Sequence, residues 1–207
     1  MTQNTHQIAP TAQIASTADI DPLAVIGADV TIWHLAQVRE GAQLGSGSSL
    51  GRGAYVGPGV ILGENCKVQN YALLYEPAVL GDGVFVGPAA VFTNDVFPRA
   101  INADGSRKSA ADWDAVGVIV GTGASIGARA VCVAPVRIGR WSLVAAGAVV
   151  TRDVPDHAIV VGVPAHQIGW VGAAGIPLVS AGGDLFRCPS TGDEYRVVAG
   201  TLVLTED

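Results

Sequence analysis

Large apolar residues recur every six places from Ile8 to Phe92, through Ile14, Ile20, Ile26, Ile32, Val38, Leu44, Leu50, Val56, Leu62, Val68, Leu74, Leu80 and Val86. Four places after each stands a small or short residue, from Ala12 and Ala18 through Ser48 and Cys66 to Ala90 and Val96. After a gap the register restarts at Val120, Ile126, Cys132, Ile138, Val144 and Val150, with Ala124, Ala130, Val136, Ser142, Ala148 and Val154 as small partners. A six-residue period cannot run along a helix of 3.6 residues per turn, but the small residue and the next large one are two apart and share one side of a strand. Each hexad therefore predicts one short strand and one corner, and the whole a solenoid of stacked parallel strands around a ladder of Ile, Leu and Val over Ala. Glycine follows the large residue in many hexads, among them Gly45, Gly51, Gly87 and Gly121. There it is expected to supply corner backbone angles that other residues resist.

Two stretches depart from the hexads. PRAINADGSRKSAADWDAV, about residues 98–116, carries Asp, Ser, Lys, Arg and Trp without the pattern and should loop out; loops of this length in compact domains are usually functional or disordered. At the other end, DLFRCPSTGDEYRVV alternates apolar and polar residues about STGD, as a hairpin does, and this tail is the candidate to cover the open last coil. Residues 8–172 are thus expected to form the β-solenoid and 173–207 a C-terminal extension.

Composition closes off several functions. The chain is 49% apolar, 14% charged and carries a net charge of −6 without a basic run, so it is a folded protein with no electrostatic footprint for nucleic acid. The longest apolar stretch, Leu143 to Val150, is far short of the ~20 residues that span a bilayer, and the opening MTQNTHQIAP lacks the pattern of a secretory signal, so a cytoplasmic location is expected with no membrane partner. Cys66, Cys132 and Cys188 are odd in number and widely spaced, which makes neither a disulfide framework nor a metal pair.

The hexads resemble those of the hexapeptide-repeat proteins, whose fold is a left-handed parallel β-helix with three hexads per coil; the resemblance implies about seven coils here. Positions eighteen apart then stack on one another. One column reads Glu40, Pro58, Glu76, Asn94 and a second His34, Arg52, Asn70, Pro88, while the phase beyond the loop cannot be counted. Asn70 and Asn94 suit either a left-handed corner or a functional role, and His34 either a satisfied surface position or a catalytic one. Gamma-class carbonic anhydrases share this fold but use three histidines for zinc; with His34 alone on the coils, no metal is expected.

TIWHLAQV from Thr31, VQNYALLYE from Val68, VFVGPAAVFTND from Val84, GASIGARAVCVAPVRIG from Gly123, AGAVVTRDVPDHAIVVGVPAHQIGW from Ala146 and the late CPSTGDEY look like segments of the bacterial nucleotide-sugar N-acetyltransferases, especially those acting on UDP-2-acetamido-3-amino-2,3-dideoxyglucuronate. Tyr71, Glu76, the pair Gly121 and Thr122, and His166 stand where members often carry Asn, Asp, a basic pair and Arg. The resemblance implies a homotrimer using acetyl-CoA as co-substrate and a nucleotide-linked amino sugar as acceptor. It implies Asn94, His34 and Glu76 at the reacting amine, Asn70, Tyr75 and Arg52 on the sugar substrate, and Arg152, Ala146, Pro164 and His166 along CoA. The neutral amine would attack the thioester directly, with no acyl-enzyme. An O-acyltransferase of the same fold and a non-enzymatic hexapeptide scaffold are the alternatives.

Overall fold

The computed structural model describes residues 7–205; residues 1–6, which open the segment read for a secretory signal, lie outside the described residues. From Gln7 to Val161 the chain winds through three parallel sheets in turn. The first face runs from Gln7–Ile8 and Val25–Ile26 to Val136–Ile138, the second from Gln13–Ile14 and Thr31–Ile32 to Leu143–Val144 and Ala158–Val161, and the third from Asp19–Ile20 and Gln37–Val38 to Val149–Val150. Rungs pair eighteen places apart, as in Val25 with Gln43 and Leu73 with Val91. This is the left-handed parallel β-helix that the resemblance implied, with seven complete coils and part of an eighth.

The core is the ladder that the period demands: Ile26, Leu44, Leu62, Leu80, Val120 and Ile138 stack on one face, and Phe92 fills the third. The small column is buried with it, so its hydroxyls must be satisfied. Ser48 Oγ donates to the Gly63 carbonyl at 3.0 Å and accepts from the Cys66 N–H at 2.9 Å, and Ser142 Oγ donates to the Gly139 carbonyl at 2.7 Å. Two assigned small partners leave this column. Val96 is 45% exposed in the loop, and Val154 pairs beside Ile138 because the last coil is two residues short there.

The glycine reading needs a second correction. Left-handed backbone sits three places after the large residue, at Asp29 (φ 57°), Leu35 (φ 60°), Gly59 (φ 64°), Asn65 (φ 56°), Tyr71 (φ 60°) and Gly83 (φ 66°). The glycines directly after the large residue, such as Gly87, have no positive φ; they are glycine because the next coil passes too close. A Cβ on Gly87 would lie 2.5 Å from Ala128 N and 2.7 Å from the Gly127 carbonyl carbon.

Beyond the loop the rungs resume forty places on, Val79 with Ile119, Phe85 with Ser125 and Val91 with Val131, which fixes the phase that counting left open. The loop leaves and rejoins between the third face and the first, its neck closed by the Val116 N–H donating to the Asn94 carbonyl at 3.0 Å. The open end is covered by His166–Trp170, which adds antiparallel to Ala158–Val161. The expected hairpin about STGD forms between Leu185–Arg187 and Glu194–Val198, but within a four-stranded antiparallel sheet that also contains Val179–Gly182 and Thr201–Leu204. Cys188, Tyr195 and Leu202 make its own small core, joined to the prism through Trp170.

The two kinds of glycine separate in a melt. Gly83→Ala puts alanine into left-handed backbone in open space and should cost about 1 kcal/mol. Gly87→Ala forces two coils apart and should cost about 3 kcal/mol, as overpacking of a filled interior does. Equal losses of Tm would show that close approach is not what selects Gly87.

Candidate active site

Side chains that leave the ladder project from the edges of the prism, two and three places after each large residue. On the edge between second and third faces, the Gly53 N–H donates to the His34 carbonyl (3.1 Å), Tyr71 N–H to Arg52 (2.9 Å) and Ala89 N–H to Asn70 (2.9 Å). His34, Arg52 and Asn70 therefore lie in line, and the column continues through Pro88 and Ala128 to Ala146. Neither Asn70 nor Asn94 has left-handed backbone, so backbone freedom does not explain either asparagine.

Asn70 has a structural task of its own. Its Oδ1 accepts from the Arg52 N–H at 2.8 Å, the bond that Asp82 makes to Glu64 N–H (2.8 Å) and Asp156 to Arg140 N–H (2.7 Å) at equivalent corners. Tyr71, which sequence reasoning left out of the site, lays its ring over Gly53, where a Cβ would meet Cε1 at 2.6 Å, and its Oη accepts from Arg52 Nε at 3.1 Å. That bond fixes the guanidinium by one edge and leaves its terminal nitrogens without a carboxylate partner among the described residues. His34 Nδ1 is 2.9 Å from Thr17 Oγ1 on the preceding coil. Trp33, His34, Ser49, Arg52, Gln69 and Asn70 line a cleft of about 330 Å³. Trp33 is 55% exposed in its wall.

The second edge, between third and first faces, carries Glu76 and Asn94, each two places past the paired Leu74 and Phe92. Asn94 is half-buried and opens the loop. Glu76 Oε2 is buried and, among the described residues, has no hydrogen-bond partner. Tyr75 stacks on Tyr55 with ring centroids 5.1 Å apart, and burial, followed by the Glu76 carboxylate, raises the Tyr55 hydroxyl above its ordinary value. Tyr55 was missed because it precedes its hexad residue and faces outward from the strand rather than standing in a corner column. Val150 pairs with Cys132 and Cys132 with Phe92, so exposed Arg152 lies on this same edge, two rungs beyond Asn94. Exposed His166 is in the capping strand beside Gly162, with Pro164 nearby.

The sequence-assigned residues thus fall on two borders of one face: His34, Arg52, Asn70 and Ala146 on one, Glu76, Tyr75, Asn94 and Arg152 on the other. No cleft of a single chain described above gathers both. Burial pushes the Cys132 thiol up to about 12 and raises that of Cys66 as well, which leaves neither a nucleophile. Hydrogen bonds from Ser190 and Thr191 bring Cys188 down to about 7, in the tail core away from both edges. Among the described residues no three His, Cys, Asp or Glu side chains gather as a metal set, and no helix is long and apolar enough to cross a membrane.

With this geometry in hand, two family profiles match: the GMPPB C-terminal domain over residues 2–100 and the hexapeptide repeat of succinyl-transferase over 117–152. The first match falls on the coils before the loop and the second, the hexapeptide profile, on coils beyond it. Over 53 residues it is 55% identical to the dTDP-3-amino-3,6-dideoxy-alpha-D-galactopyranose 3-N-acetyltransferase of Aneurinibacillus thermoaerophilus, covering 26% of this chain and 28% of that protein. Over 107 residues it is 31% identical to the bifunctional protein GlmU of Aquifex aeolicus, 52% of this chain and 20% of that one. The chain spans less than a third of the length of either relative. Among solved structures, a D94N mutant of AntD, an N-acyltransferase from Bacillus cereus in complex with dTDP and coenzyme A, aligns with TM-score 0.48 at 22% identity over 79% of this chain and 83% of that one.

The corner role of Asn70 is testable without a substrate. Asn70→Ala should cost about 1 kcal/mol in chemical denaturation, the worth of one hydrogen bond, whereas Asn70→Asp, which keeps the acceptor as Asp82 and Asp156 do, should restore most of it. Equal loss in both would remove the Oδ1 bond as the cause.

Proposed function

We infer that the chain transfers an acetyl group from acetyl-CoA to the amino group of a nucleotide-linked amino sugar. The observation that carries this reading is the Glu76 carboxylate and the Asn94 amide stacked on one edge of the prism, where the loop begins. A carboxylate beside an amide suits an N–H donor, and a sugar amine supplies one. The matched relative that acetylates a 3-amino group on a nucleotide sugar supports the same substrate class. Within it, UDP-2-acetamido-3-amino-2,3-dideoxyglucuronate fits the sequence resemblance.

In this reading the neutral amine attacks the thioester carbon and the sulfur leaves as thiol after proton transfer. Asn94 holds the amine and Glu76 orients it or receives its proton, so that much of the acceleration comes from orientation. His34 and Asn70 meet the sugar, and Tyr75 flanks it. Arg52, held by Tyr71, offers its free nitrogens to an acidic group. Arg152 meets a CoA phosphate, and Ala146, Pro164 and His166 border the cofactor further along. Residues from the two edges serve one site when a neighbouring copy brings its edge alongside, which is the homotrimer reading. Apolar residues stacked outside the first face, Ile61, Val79 and Ile119, each 37–38% exposed, give copies a surface to associate by.

Asn94→Ala should leave the fold intact and lower kcat by about 100-fold, the effect of removing one positioned catalytic hydrogen bond. Unchanged turnover in an acetyl-CoA assay with UDP- and dTDP-amino sugars would remove Asn94 from the chemistry. If His34 contacts sugar rather than acting as base, His34→Asn should raise KM more than it lowers kcat. A large fall in kcat at unchanged KM, together with turnover of the hydroxy analogue of the sugar, would favour O-acyl transfer with His34 as base.

A further inference from the structure

The excursion loop is itself folded around a cavity. Ile101 and Arg107 form an antiparallel bridge, Asn102 N–H donates to the Ser106 carbonyl (2.8 Å) and Lys108 N–H to that of Ala100 (3.1 Å). Ser109 then caps a short helical turn at Ala110–Asp112, taking Asp112 Oδ2 on its own N–H (2.6 Å) and Oγ (2.7 Å). These bonds bring Arg99, Arg107 and Lys108 to the wall of a cavity of about 630 Å³ together with half-buried Trp113 and Asp95. Among the described residues none of the three cations pairs with a carboxylate within 4.0 Å. The one carboxylate in the wall, Asp95, is turned back on the loop, its Oδ1 accepting from the Phe97 N–H at 2.8 Å. Three unpaired cations around one space, in a chain of net charge −6, call for an anion, and an indole in the same wall suits a planar base.

We propose that this loop cavity binds the diphosphate and base of a nucleoside diphosphate, and that it holds the acceptor nucleotide rather than CoA. The choice of source rests on the reading of Asn94 given above. Asp95 in the wall directly follows Asn94, so a diphosphate in the cavity lies next to the residue that would hold the amine. In a nucleotide sugar one pyranose ring separates amine from diphosphate, a span that fits. In acetyl-CoA the long pantetheine arm separates the thioester from the diphosphate, so those phosphates would lie away from Asn94, on the Arg152 side of the edge.

The experiment is calorimetric titration of the full chain with UDP, dTDP, GDP and CoA, alongside the tryptophan emission. At least one nucleoside diphosphate should bind and change the emission, and Trp113→Phe should abolish that change. Arg107→Gln should raise its Kd by about 10-fold, and Arg107→Gln with Lys108→Gln by about 100-fold, the loss of one and then two charge-assisted bonds, with CoA affinity unaltered. Because these side chains are on the loop surface, circular dichroism and Tm should be unchanged. Failure of the wild-type chain to bind any of the three, equal Kd in the variants, or loss of CoA instead would each overturn the proposal. Titrations as expected from a chain that acetylates no amino sugar would leave the site standing and defeat the acyl-transfer reading.

Discussion

Everything in the prism depends on how closely consecutive coils approach. Strands only two residues long make few lateral hydrogen bonds each, so the ladder holds together because every coil repeats the same bonds directly above the last. That leaves no room for a side chain where one corner crosses the next, and Gly87 under Ala128 is what such a crossing admits. The small column is the interior counterpart. Ala, Ser, Cys or Val two places before the large residue lets the coil close, and where a hydroxyl enters, as at Ser48, the backbone of neighbouring rungs takes up both its bonds.

The same constraint decides where chemistry can occur. Ladder positions are committed to the core and many crossing positions to glycine, which leaves the crossing places that are not glycine (Trp33, Gln69 and Tyr75 among them), the two corner places after the crossing, the outward strand residue, and the loop. One of those corner places requires left-handed backbone. Leu35, Tyr71 and Trp141 accept it with bulky side chains, a conformation uncommon outside glycine and asparagine. Tyr71 shows what it gains, since only from that backbone does its ring cross Gly53 and reach Arg52. Strain at one residue thereby orients a cation on its neighbour.

Most of the architecture was legible because one period encodes it: hexads give strand, corner and core together, and the register of eighteen follows once three of them make a coil. The sequence pattern misplaced what sits at the corners. Glycine is ambiguous between backbone freedom and close approach, and only the stacked coil decides that Gly87 is the second kind. Asn70 and Asn94 read as corner residues by type, yet the left-handed place is one further along, at Tyr71 and its equivalents. Val154 kept the spacing but lost its role, since a two-residue shortening of the last coil is invisible when each hexad is counted alone. The loop could be recognised by its lost period, whereas its cavity depends on the Ile101–Arg107 bridge and the Ser109 cap, which no period announces.

The arrangement of the polar residues carries a last consequence for the acyl-transfer reading. Asn70 and Glu76 are one hexad apart, at opposite ends of a single face, and extended chain of six residues spans at most about 20 Å. A sugar amine and its thioester must meet at one point, and in a single chain the third face, with the strand Leu73–Leu74 crossing it, stands between the two edges. The distance closes when the His34 edge of one copy meets the Asn94 edge of another, because the intervening face no longer has to be crossed. In that geometry the loop, which begins at Asn94, stands at the mouth of the shared cleft.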